Sequence, residues 1–172
     1  MMGKKLFYLA VAGWGAAVVV HSLAFVGVDV ASFVPIVWVL HVGIFAVWVP
    51  AVRKMRRAKA LQQEKAVAGM PTSSGSVWKQ APLWLTVVAF AGMGYAVINF
   101  MAFSTSAQST GEENGHYYTH NRGKDRQPIS AQAYHHLQAN DLRGFSGHWI
   151  GFYGMAMAVL YPFKKPEEQE GV

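Results

Sequence analysis

Two histidines interrupt runs of otherwise apolar residues. His21 sits in "VVVHSLAFVGV" at 18–28, and His41 in "VLHVGIFAVWVP" at 39–50. Imidazole ligates iron, copper and zinc, and inside a membrane it also makes hydrogen bonds between helices. A third, His148, lies in "SGHWIGFYG" at 146–154, and the other four, His116, His120, His135 and His136, fall in a polar stretch before it. Cysteine is absent, which excludes disulfides, thiolate ligands and cysteine nucleophiles. There is no H-E-x-x-H zinc motif, no G-x-S-x-G nucleophile elbow and no phosphate-binding glycine loop.

The elements that must hold these histidines are apolar. Of 172 residues, 52% are hydrophobic and 14% are charged, against about 25% charged in a soluble domain. A bilayer core of ~30 Å needs about 20 apolar residues in helical form. The runs at 6–28, 33–52, 82–103 and 145–163 meet that need, and none contains Asp, Glu, Lys or Arg. The pattern predicts an all-α membrane protein, a bundle of four transmembrane helices forming one domain over 1–172. Eleven of the fifteen Lys and Arg residues fall at 4–5, 53–79 and 164–165. The positive-inside rule then places both termini and the 53–81 loop in the cytoplasm of a bacterial inner membrane, with 104–144 outside. The basic start, the apolar stretch and Ser22-Leu23-Ala24 also fit a cleaved signal peptide, which would remove His21. The stretch is long for a signal peptide, so an uncleaved span is expected.

The loops carry the remaining polarity. "RKMRRAKALQQEKA" at 53–66 reads as a helix resting on anionic lipid headgroups through Arg53, Lys54, Arg56 and Arg57, until "GMPTSSGS" at 69–76 breaks it. The net charge of +6 is concentrated there. No nucleic-acid-binding motif accompanies it, so nucleic acid is not an expected partner. Outside, "STSAQSTGEENG" at 104–115 is polar and reads as mobile. "HYYTHNRGKDRQPIS" at 116–130 reads as a short hairpin around an Asn-Arg-Gly-Lys turn at 121–124. Ser130 then caps an interfacial helix over 131–143, ending near Gly144 and feeding the last span.

This topology sets depths. His21 is seven residues from the outer end of the first span and His41 eight from the outer start of the second. Both lie about 10–12 Å below the outer surface, at 1.5 Å per residue. His21, Ser22, His41, Tyr95, Asn99 and His148 form a polar layer in the outer half. Gly13, Ala17 and His21 are four apart, so they share one face, and small residues there bring another helix close. Gly147 and Gly151 serve either close helix packing or a cofactor's need for space.

Three readings follow. In the first, the histidines make interhelical hydrogen bonds, such as His21 to Asn99 or His41 to His148. The chain is then a non-catalytic structural or accessory subunit, working with a membrane protein partner or a second copy of itself. In the second, His21 and His41 hold haem b, or His21, His41 and His148 hold a transition metal. The third is a transporter or channel component, disfavoured because the spans hold no acid for ion coupling and no internal repeat. "LHVGIFAVWVPAV" together with "LRGFSGHWIGFYGMAMAVLY" resembles uncharacterised small four-span membrane proteins of bacteria. The resemblance covers the second span and residues 142–161, and it implies a membrane bundle without implying an activity.

Overall fold

The computed structural model describes residues 2–70, 77–106, 108–120 and 126–162, which are mostly helical. In chain order they form α1 (Met2–Phe25), the single turn α2 (Val30–Phe33), a 3-10 turn at Pro35–Trp38, α3 (Val39–Val67), the single turn α4 (Val77–Gln80) and α5 (Leu83–Ser106). A small sheet follows, of β1 (Ser109–Glu113), β2 (His116–His120) and β3 (Gln127–Ile129), and then α6 (Ala131–Leu160). The sheet is antiparallel, with β2 in the centre.

Three helical stretches, Gly3–Phe25, Pro35–Val67 and Leu83–Ser104, are long and apolar enough to cross a membrane. Each buries only 22% of its most apolar window. Val19 on α1, Val39 and Val42 on α3, and Val87 and Ile98 on α5 all point away from the rest of the protein. Exposed apolar surface of that extent is consistent with a membrane protein.

The fourth long helix, α6, is not among these apolar stretches and is the most enclosed. α1, α3 and α5 all pack against it, and every residue from Ala156 to Leu160 is buried. Its glycines explain how. A Cβ on Gly151 would stand 3.0 Å from the Ala96 methyl and 3.3 Å from the Gly92 carbonyl oxygen of α5. One on Gly154 would meet Trp14 at 3.5 Å and Ala89 at 3.6 Å. The neighbouring helices themselves fill the space beside these glycines, the ordinary use of small residues between helices in lipid.

Several boundaries differ from the sequence expectation. Ser130 does cap α6, accepting from the Ala133 N–H at 3.1 Å, but the helix does not stop near Gly144. It runs on for 30 residues as one rod, so the stretches that the sequence reads as an interfacial helix and a last span are a single element. Gly144 is buried against Phe103 of α5, and that packing outweighs the ~1 kcal/mol cost of a helix-interior glycine. α3 likewise runs through Pro50 and carries the basic residues up to Val67 as its direct continuation, not as a separate surface helix. It starts late, at Val39, because Pro35 restricts Val34 to an extended φ of −132°. α1 ends at Phe25, short of residue 28, where Gly27 takes a φ of +85° and Val28 N–H closes on the Leu23 carbonyl at 3.0 Å. Residues 109–113 form β1, where the sequence suggested mobility. Asn114 and Gly115, at φ +53° and +77°, make the two-residue hairpin turn that Asn-Gly favours. The break at 71–76, the 121–124 turn and Lys164 and Lys165 lie outside the described residues.

Polar contacts bind the cap to α6. Buried Asp29 caps α2, accepts from the Ser32 hydroxyl and receives His135 Nδ1 at 2.9 Å. Gln138 donates to Thr110 at 3.1 Å, and the rings of Tyr117 and Tyr134 lie 4.6 Å apart. The rod of α6 therefore joins the sheet, the α1–α3 link and the bundle.

The glycine contacts give a direct test. Gly151→Leu overpacks the α5–α6 contact and should cost about 1–3 kcal/mol, read as a lower midpoint of thermal unfolding in detergent. Gly94→Leu, where nothing lies within 4 Å of the added carbon, should leave that midpoint unchanged. Equal melting of the two variants would refute the packing account.

Candidate functional site

Most of the polar side chains that the sequence placed in one layer converge on α6. His21, on α1, is 7% exposed and reaches two other helices. Its Nδ1 lies 2.9 Å from Ser146 Oγ and its Nε2 lies 2.5 Å from the Tyr95 hydroxyl. The directions follow from donor chemistry. Ser146 donates its one proton to the Arg143 carbonyl at 3.2 Å, so its oxygen accepts from His21 Nδ1–H. His21 Nε2 is then bare and accepts from Tyr95. A continuous chain of hydrogen bonds thus crosses α5, α1 and α6, with every donor used.

Asn99 does not pair with His21. Its amide nitrogen donates to the carbonyls of Arg143 and Gly144 at 3.1 and 3.2 Å. It reaches that backbone because Gly147 has no side chain, since a Cβ there would collide with the Asn99 amide. Ser22 lies at the same level but on the exposed face of α1, bonded to the Val18 carbonyl of its own helix at 2.9 Å.

On the other flank, α6 holds α3. Trp149, fully buried, donates its indole N–H to His41 Nδ1 at 3.0 Å, and Tyr153 donates to the Leu40 carbonyl at 2.8 Å. The Tyr153 ring fits between Gly13 and Gly43, where any Cβ would overlap it. His148 does not bond to His41. Its Nδ1 donates to the Gly144 carbonyl, 3.0 Å away on its own helix. His41 and His148 nevertheless line one cavity between α3, α5 and α6, of about 440 Å³, with Ile44, Phe45, Trp48, Phe100, Phe145 and Phe152.

The sequence-level candidates therefore separate. His21 has both ring nitrogens engaged and does not line the His41 cavity. Among the described residues, no three His, Asp or Glu side chains gather as a metal site would need. His116 and His120 lie on β2, and His135 is committed to Asp29. The sequence reading missed Ser146, Trp149 and Tyr153 as partners. All three stand in "SGHWIGFYG", the run where polar groups and glycines alternate most densely. No family model, curated protein or solved structure matches the chain.

Where α6 leaves the bundle, burial raises the Asp141 carboxyl above the ordinary carboxylate range. The folded state then holds this proton more tightly than the unfolded chain, so stability is lost as pH rises from the ordinary aspartate range to the raised value. Asp141→Asn should melt higher than the parent at neutral pH, and the gap should close on acidification. A gap independent of pH would rule out this cause.

The hydrogen-bond chain also makes a prediction. Tyr95→Phe and Ser146→Ala each remove one link and should each cost about 0.6–2 kcal/mol of stability in detergent. Because both act through His21, the double variant should lose measurably less or more than the sum. Strict additivity would show that the chain does not act as a unit.

Proposed function

We propose that this is a four-span protein of the bacterial inner membrane and that it acts as a non-catalytic structural or accessory subunit. α6 supplies the fourth span. The observation that carries the reading is the enclosure of α6 by three apolar helices, which leave their own outer faces bare. A stretch with four glycines, a serine and a histidine, as α6 has from Gly144 to Gly154, has no stable place facing lipid, where unmet polar groups cost several kcal/mol. Inside such a ring it has one. The distribution of Lys and Arg supports cytoplasmic termini and an outward cap. The extension of α3 beyond Pro50 then starts at the cytoplasmic surface, with Arg53, Lys54, Arg56 and Arg57 at the level of anionic headgroups. The polar layer supports a structural role, because His21, Tyr95, Ser146 and Asn99 spend their hydrogen bonds on holding helices together.

The absence of native cysteine makes the topology simple to test. Lys59→Cys on the α3 extension and Ser109→Cys on β1 are treated in spheroplasts with a membrane-impermeant maleimide. Only Ser109→Cys should be labelled, and the reverse pattern would overturn the orientation. An accessory subunit should also co-purify with a partner or as an oligomer in mild detergent. A stable lone monomer would end that part of the reading.

A further inference from the structure

The cavity between α3, α5 and α6 is left unexplained by a purely structural role. α3 and α5 both pack on α6 but hardly touch each other, so the cavity opens sideways between two apolar helices. Its volume of about 440 Å³ falls within the ~300–1,000 Å³ of small-molecule sites. Its walls are aromatic and aliphatic, and its two polar features are the imidazoles of His41 and His148.

The partners of those rings fix what they offer. An indole N–H can only donate, so Trp149 requires His41 Nδ1 to be bare, and the neutral ring carries its proton on Nε2. A carbonyl can only accept, so Gly144 requires the His148 proton on Nδ1, and its Nε2 is bare. Among the described residues neither Nε2 has a hydrogen-bond partner. One cavity therefore presents one N–H donor and one lone-pair acceptor, each held in its tautomer by a neighbour. The same fact disfavours His41 as a metal ligand. Freeing a lone pair on its Nε2 would move the proton to Nδ1, against the Trp149 N–H.

We propose that this cavity binds the ring of a lipid-soluble quinol, with its chain running out between α3 and α5. One ring hydroxyl accepts from His41 Nε2–H and the other donates to His148 Nε2, while Phe45, Trp48, Phe100 and Phe152 enclose the ring. The oxidised quinone fits less well, because it has no proton to give and would set a carbonyl oxygen against the bare His148 nitrogen. The site therefore favours the reduced form. The claim concerns binding alone. The membrane reading supplies only the route by which the ligand arrives, and the measurement in detergent does not depend on topology or on a partner protein.

The test is titration of the purified full-length protein with a 1,4-benzoquinol bearing a ten-carbon chain, and separately with its quinone, followed by tryptophan fluorescence. The quinol should bind saturably and at least about tenfold more tightly, the worth of roughly one hydrogen bond. His148→Phe should abolish that preference. His41→Phe should weaken both forms. Ser22→Ala, at the same level but outside the cavity, should change nothing. Absence of saturable quinol binding, equal affinity for the two forms, or a retained phospholipid that the quinol does not displace would each overturn the proposal. Should a histidine variant fail to fold, the ratio of quinol to quinone affinity in the parent protein still decides it.

Discussion

The burial of α6 is the constraint on which the rest of the structure depends. In hydrocarbon, a polar group without a partner costs several kcal/mol, and α6 brings Ser146, His148, Trp149 and Tyr153 together with four glycines. In the structure it lies inside a ring of others. The ring helices are complementary to it. α1, α3 and α5 have largely apolar outer faces, and several of the polar groups they carry reach toward α6. His21, Asn99 and His41 each reach α6 directly, and Tyr95 reaches it through His21.

Glycine and polar side chain work here as one device. Asn99 reaches two carbonyls of α6 at the point where Gly147 stands empty. Tyr153 reaches the Leu40 carbonyl by lying across Gly13 and Gly43. In each case a long side chain crosses to the backbone of another helix, or passes over it, where a Cβ would have blocked it. Helical carbonyls have a second lone pair, so the extra bond does not disturb the ladder. A hydrogen bond of this kind also fixes rotation and register, which apolar packing among lipid-like side chains specifies poorly.

Much of this was legible in the sequence. Helix existence, the layer of polar groups and the inward face of Gly13, Ala17 and His21 follow from length, purity and four-residue spacing. Helix ends were less legible, because Gly144 and Pro50 are local breakers that tertiary packing overrode. The Asn114-Gly115 turn was a readable signal lost within a polar stretch. The partners failed for a different reason. Spacing gives the level of a side chain but not the angle at which neighbouring helices present theirs. Tyr95 and Asn99 are four apart and share one face of α5. Which of them meets His21 was decided by Gly147, which diverts Asn99 to the backbone.

Equal depth suggested pairing His21 with His41, and the geometry divides the histidines another way. His21 has a partner on each nitrogen, one from α5 and one from α6. Its bonding is complete, and the contact it makes is its purpose. His41 and His148 each have one partner, and that partner sets the tautomer and leaves the far nitrogen open. His41 is exposed and His148 half-buried, so each open nitrogen stands where a ligand can reach it. The number of nitrogens engaged, rather than depth in the bilayer, thus separates the side of the bundle that is finished from the side that still has hydrogen bonds to give.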